Sequence, residues 1–312
     1  MPGRPFIVLA ALLLASACSK GSSSTPSTAA TATPTPAPFG QHLYVGNDNP
    51  GGGIAQYTLP LTTGETPNYT VALANPVTLS FDDFNDLAAG TASGVSYYAT
   101  PFTSASTASA TFAVSPAPSQ VKFYTGSLYE TSGGTTVNVY QPPFSGGTTP
   151  YYTVSPTGAT ILPGVALDAA GTLYVSNLTT ASGPSNLLAI PGPAPYSSGT
   201  PVSTPAVAGT IYRKIAIEGT YLFVCNIGGT TGSVDVYTLP LTTTTTGPTF
   251  SITTGIDVPR DVALDSAGRL YVANSGNETV TVYTPNFSAS STPTTTLAVP
   301  SGYAVYGIAV GT

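Results

Sequence analysis

The chain has 312 residues, of which 33 are Gly, 30 are Pro and only 6% are charged, against roughly 25% charged in an ordinary soluble domain. Hydrophobic residues still reach 41%, which separates the chain from disordered sequences of low hydrophobicity and high charge. A net charge of −6 with seven Lys and Arg and no basic run excludes a phosphate-tracking nucleic-acid surface, and a single His (His42) removes most His-dependent catalysis.

Arg4 precedes an apolar run from Phe6 to Ala15, followed by Ala15-Ser16-Ala17-Cys18. A cationic start, a short apolar stretch and small residues before a cleavage point predict an export signal over residues 1–17. The run is too short to span a bilayer, for which about 20 residues are needed. The Cys after the small residues makes the segment resemble a bacterial lipoprotein signal, which implies that Cys18 becomes the lipidated first residue of the mature chain. Ala15 departs from that pattern, which usually has Leu there. Lipidation would make this an outer-membrane or cell-surface lipoprotein, touching the membrane through its N-terminal lipid anchor alone; the alternative is a soluble secreted or periplasmic protein. Residues 19–38 are mostly Ser, Thr, Ala and Pro with no large apolar side chain, so 18–39 reads as an extended tether. A lipidated Cys18 leaves Cys225 without a disulfide partner.

From residue 40 to 312 the chain repeats itself. An alternating segment ending near Pro recurs as IAQYTLPL (54–61), VSYYATPF (95–102), VNVYQPPF (137–144), LLAIPGPA (187–194), VDVYTLPL (234–241) and VTVYTPNF (280–287). Its aligned positions, Tyr57 through Tyr283, are spaced 41, 42, 50, 47 and 46 residues apart. A period of 40 to 50 residues with several strands per unit is the signature of a β-propeller. Each unit supplies four strands, a to d from the axis outward, with strand b most regular: LYVGN (43–47), LAAGT (87–91), LYETS (128–132), LYVSN (173–177), LFVCN (222–226) and LYVAN (270–274). Strand a precedes b in five units only, at 79–82, 121–124, 165–168, 215–218 and 262–265, and the missing one is matched by Gly307–Val310 at the far end. The expected fold is therefore all-β, a six-bladed β-propeller of four-stranded antiparallel blades, its last strand closing the first blade as a velcro and removing exposed sheet edges.

VPRDVALDSAGRLYVANSGNETVTVY (258–283) resembles an NHL repeat, and LPGVALDAAGTLYVSN (162–177) is similar. The units at 79–115 and 121–155 match by register only. NHL-like propellers include ligand-binding scaffolds, lyases and lactonase-like hydrolases, so the resemblance implies a fold and leaves function to the site.

In an antiparallel meander, the residues entering strand a and those ending strand b share one face, here called the top. It collects Asn47, Asn177, Asn226 and Asn274 from the b ends, and Pro163, Arg213, Lys214, Arg260, Asp261 and Tyr306 from the a entries. In a chain so poor in charge, the grouping of Arg213, Lys214 and Arg260 points to a polar or anionic ligand, with Asn226, Asn274 and Tyr306 beside it. The bland alternative has the Asn side chains shaping turns and the Arg side chains paired with Asp257 and Asp261. The opposite face collects Asp82, Asp168, Glu218 and Asp265, read either as a cation site or as carboxylates accepting turn amides. Lys122 occupies an inner-strand slot held elsewhere by Ser80, Ala166, Ala216, Ala263 and Ala309, which predicts that it lines the axial channel. Tyr69, Tyr151, Tyr152 and Tyr303 fall outside the blade register and offer a sugar-stacking surface.

No serine elbow, phosphate loop or CxxC occurs, and His42 carries no motif around it. The sequence therefore favours a non-enzymatic binding propeller without cofactor, taking a small molecule, a glycan or an envelope protein through its top face. The rival is a metal-dependent lactonase-like hydrolase holding one Ca²⁺ or other divalent ion on the top Asn residues.

Overall fold

The computed structural model describes residues 41–49, 52–196, 200–300 and 304–311. The signal, Cys18 and the tether lie outside the described residues, as does Tyr303. Twenty-four strands form six separate four-stranded antiparallel sheets. Blade one holds β1 (His42–Asn47), β2 (Gly53–Thr58) and β3 (Tyr69–Ala72), and blade two β4 (Thr78–Phe81), β5 (Leu87–Thr91), β6 (Gly94–Tyr98) and β7 (Ala110–Phe112). Blade three holds β8 (Gln120–Tyr124), β9 (Ser127–Thr131), β10 (Val137–Tyr140) and β11 (Tyr152–Val154); blade four β12 (Ile161–Leu167), β13 (Leu173–Leu178), β14 (Ser185–Ile190) and β15 (Val202–Ser203). Blade five holds β16 (Tyr212–Glu218), β17 (Tyr221–Asn226), β18 (Ser233–Thr238) and β19 (Phe250–Ile252); blade six β20 (Pro259–Leu264), β21 (Leu270–Asn274), β22 (Thr279–Tyr283) and β23 (Thr295–Ala298). The last strand, β24 (Val305–Gly311), returns to blade one and pairs antiparallel with β1, from His42 with Gly311 to Asn47 with Val305. The chain folds as a six-bladed β-propeller with velcro closure.

The sequence pattern follows from each strand's place in its blade. The second strands are covered on both faces by neighbouring blades, so LYVAN of β21 is buried at every position and reads as a continuous Val/Tyr/Leu run. Outer strands have one wet face: YTVA of β3 buries Val71 and exposes Thr70 and Ala72. The third strands stop before the Pro positions that closed the repeat motif, at Thr58, Tyr98, Tyr140 and Thr238, because Pro offers no N–H to continue a ladder.

Six apolar clusters fill the six gaps between neighbouring blades. One of them joins Leu43, Val45 and Tyr57 of blade one to Tyr271, Ala273 and Val280 of blade six, which shuts the ring. The others seal blades one–two, two–three, three–four, four–five and five–six. Cys225 is a small filler in the last of these, wholly buried, its thiol pKa raised by burial. Among the described residues no helix is long and apolar enough to cross a membrane.

Candidate functional site

Four innermost strands carry a register break at the same height near their top ends. On β12 it falls between Ile161 and Gly164, on β16 between Tyr212 and Ile215, on β20 between Pro259 and Asp261, and the β1–β24 ladder steps over Tyr306. A bulge bends its strand and re-aims the extra residue. Here the extra residues include Pro163, Arg213, Lys214, Arg260 and Tyr306, and all five line one cavity of about 210 Å³ at the mouth of the axial channel. Val77, Pro118 and Ser119, which lead into the unbulged inner strands of blades two and three, complete its wall. Gly164 allows the close approach of blades four and five: a Cβ there would sit 2.5 Å from the carbonyl oxygen of Arg213.

The three cations differ in their commitments. Lys214 is buried at the cavity floor. Its Nζ donates to Asp261 Oδ2 at 3.1 Å, to the carbonyl oxygen of Tyr306 at 2.6 Å and to that of Val77. Asp261 Oδ2 also accepts from Ile308 N at 3.1 Å and Oδ1 from Val262 N at 2.9 Å. Arg260 stacks 4.8 Å from the centre of the Tyr306 ring, a cation–π contact, and donates from Nε to Ser275 Oγ at 3.1 Å. Arg213 is half-buried and its Nε has no hydrogen-bond partner; burial, and next the charge of Arg260, lower its pKa. Among the described residues the ion pairs are Lys214–Asp261 and Arg269–Asp265. The alternative pairing of Arg213 and Arg260 with Asp257 and Asp261 is thus not found, because Asp261 faces inward to Lys214. Asp48 feels the field of two of these cations: burial raises its pKa, while Lys214 and Arg260 pull it down.

Below this floor the channel is lined by inner-strand residues, among them Lys122, Ser80, Ala216, Ala263 and Ala309. Lys122 is exposed to the channel, where desolvation by the surrounding blades lowers its pKa against the opposing pull of Asp261. A residue not singled out in the sequence, Gln120, spans three blades. Its Nε2 donates to the carbonyl oxygen of Ile215 at 2.9 Å, and its Oε1 accepts from Val165 N at 2.8 Å and Ile215 N at 3.2 Å. Thr78 and Ser80 accept from Val121 N and Phe123 N to join blades two and three. With Lys214 and Asp261, these side chains tie all six blades around the axis. In the sequence, Lys122 stands out against the small residues Ser80, Ala166, Ala216, Ala263 and Ala309 of its slot, and Lys214 and Asp261 by their place at strand entries; Gln120 carries no such signal.

Asn226 and Asn274 do not line the cavity. Each b-end Asn curls back onto the segment that enters its own blade. Asn226 Oδ1 accepts from Ile211 N and Gly228 N, Asn274 from Asp257 N, Asn177 from Thr160 N and Ile161 N, and Asn47 from Asn49 N and Ala304 N. Their oxygens are therefore engaged by backbone amides. On the opposite face Asp168 accepts from Ala170 N and Thr172 N, Asp265 from Ala267 N and Arg269 N, and Asp82 from Phe84 N and Asp86 N. Among the described residues no three His, Cys, Asp or Glu side chains gather in a way that could hold a metal ion.

The comparisons with known proteins agree with this architecture. Residues 257–283 match the NHL repeat. That segment contains Arg260, Asp261 and the whole of β20, β21 and β22. No curated protein sequence matches the chain. Among solved structures, a candidate 6-phosphogluconolactonase from Bacteroides fragilis aligns with a TM-score of 0.61 at 16% identity, covering 92% of this chain and 100% of that one. The nidogen/laminin complex contains a chain that aligns with a TM-score of 0.61 at 14% identity, covering 88% of this chain and 99% of that one. A Bacteroides caccae protein of unknown function aligns with a TM-score of 0.62 at 11% identity, covering 89% and 99%. At these identities the likeness is one of fold.

Proposed function

We propose that the protein is a non-enzymatic binding propeller whose axial mouth takes the anionic group, carboxylate or phosphate, of a small ligand. The observation that carries this reading is that Arg213 and Arg260 line one cavity and neither has an acid partner among the described residues. Arginine presents a planar fork of donors suited to such groups. The ammonium of Lys214 at the floor is already held by Asp261 and two carbonyls, so the two guanidinium groups supply the recognition, with the Tyr306 ring fixing one of them. Propeller relatives of fold serve both binding and catalysis, as a nidogen/laminin complex and a candidate lactonase illustrate.

The test is calorimetric titration of the full chain with phosphate, citrate, gluconate and a sugar phosphate. Saturable binding that weakens with salt, and that disappears in Arg213→Ala/Arg260→Ala while the circular dichroism is unchanged, is the expected result. Retained affinity in that variant would overturn the reading. The rival hydrolase is separated by the metal content of the chain purified without chelator: one equivalent of a divalent ion, lost on Asn226→Ala, would favour it.

For location, the reading of residues 1–39 supports export and anchoring to the cell envelope through a lipid on Cys18. Metabolic labelling with a fatty acid is expected to mark the chain, and Cys18→Ser to release it from the membrane fraction. A parent chain that takes no label and is already outside the membrane fraction would favour plain secretion.

A further inference from the structure

A second cavity, of about 620 Å³ against about 210 Å³ for the axial mouth, opens on the opposite face at the outer junction of blades three and four. It is built where the β8–β9 turn, the β10–β11 loop and the segment after β14 converge. Tyr151, Tyr152 and Tyr129 supply its rings, and Gln141, Ser127 and Thr125 its polar groups; Ala194 and Pro195 close the far wall. Among the described residues no Asp, Glu, Lys, Arg or His lines it. Tyr151 is 67% exposed, in a protein where the other exposed large hydrophobic side chain among the described residues is Phe84. The rings of Tyr151 and Tyr152 stand 5.8 Å apart at 69°, forming a corner with two aromatic faces. The Tyr152 hydroxyl is buried beside that of Tyr129, without a partner at full hydrogen-bond geometry.

The surroundings hold this corner in shape. Tyr151 N donates to the carbonyl oxygen of Val139 at 2.7 Å, which fixes its backbone against β10. Tyr196 donates to the carbonyl oxygen of Gly171 at 2.6 Å and packs edge-on against Tyr129 at 6.4 Å, pinning the segment that carries Pro195. Thr125 and Gly126 both take positive φ, 44° and 74°, so the turn presents Thr125 and Ser127 side by side. Burial keeps the phenols neutral across the ordinary pH range: that of Tyr129 is pushed up to about 12, and that of Tyr152 higher.

We infer that this cavity is a binding site for a neutral saccharide. A pyranose ring has an apolar C–H face and a rim of hydroxyls. The first seeks an aromatic plane, and the second seeks neutral donors and acceptors of the Tyr, Gln, Ser and Thr kind. An exposed ring beside neutral hydroxyls, with no charged side chain among the described residues of the lining, matches both demands and supplies no formal charge to pair with an ion. The site is separate from the axial mouth in place and in chemistry.

The probes are neutral hexasaccharides (malto-, cello-, xylo-, laminari-, manno- and chito-oligosaccharides) titrated into the full chain, with saturation-transfer NMR to identify the bound face. At least one is expected to bind, and Tyr151→Ala to weaken it at least about tenfold with unchanged circular dichroism. Tyr152→Phe is expected to weaken binding less, since it keeps the ring and removes the hydroxyl. Arg213→Ala/Arg260→Ala is expected to leave saccharide binding intact, so failure here and failure of the anion reading are distinguishable. Absence of binding across the panel would overturn the inference, as would binding that survives Tyr151→Ala/Tyr152→Ala or that is lost in the Arg variant instead.

Discussion

The ammonium of Lys214 and the carboxylate of Asp261 meet at 3.1 Å between the innermost strands of blades five and six, both almost wholly withdrawn from solvent. Because Lys214 also reaches the carbonyls of Val77 and Tyr306, one side chain couples four blades. Removing one partner of a buried pair strands the other charge, at a cost of about 3–5 kcal/mol, whereas removing both is far milder. Lys214→Met is expected to lower the unfolding free energy by that amount in urea titrations, and Lys214→Met/Asp261→Leu to restore part of it. A Lys214→Met variant as stable as the parent would contradict the coupling.

Glu130 should make stability fall as pH rises. It is fully buried in the second strand of blade three, with Oε2 accepting from Asn138 Nδ2 at 2.9 Å and Oε1 unpartnered. Burial lifts its pKa from 4.5 to about 7, with Asn138 working in the other direction. The folded chain therefore keeps a proton that the unfolded chain has released. The stabilisation is complete below about pH 4.5 and lost as pH rises through about 7, a change of about 3 kcal/mol. Urea midpoints at pH 5 and pH 8 are expected to differ for the parent and to converge in Glu130→Gln.

The closing strand carries a prediction of its own. β24 lends blade one its innermost strand and buries Val305, Ile308 and Ala309. Removing residues 305–312 is expected to depress the thermal midpoint steeply and to expose dye-binding apolar surface. An unchanged midpoint would show that the first blade holds without it.

Asn226→Ala separates scaffold from site. It deletes the acceptor for Ile211 N and Gly228 N and the donor to Asp235, at about 1–3 kcal/mol for buried groups left unpaired. Stability in urea is expected to drop accordingly while the affinity for small anions at the axial mouth stays within about twofold. A selective loss of affinity would return Asn226 to the site.

The blades were legible because the second strand of each unit must be apolar on both faces and end at the same turn, as LYVSN, LFVCN and LYVAN do. Ring closure was legible because Gly307–Val310 repeats a pattern missing at the start. The grouping of Arg213, Lys214, Arg260 and Tyr306 followed from strand direction alone, and all four line one cavity. What direction could not show was the bulge. Register breaks depend on backbone pairing, and they decide that Lys214 turns down to Asp261 while Arg213 is left without a partner. Strand direction put the Asn residues at the top face and left two roles open, ligand contact or turn shaping; the hydrogen bonds are of the second kind, because a side chain of two rotatable bonds reaches the nearest backbone amides. Gln120 escaped notice because its partners, Val165 and Ile215, lie 45 and 95 residues away.

The β1–β24 ladder begins with His42 opposite Gly311, so both strands run out of the ring at the same end of the same pair. Tension applied between those two residues would open the ladder like a zipper, loading one rung at a time. Heat must disrupt the apolar seams all around the ring; a pull at this seam meets only its first hydrogen bonds. In an optical trap, blade one is expected to come away first and at low force, leaving the other five as a later event.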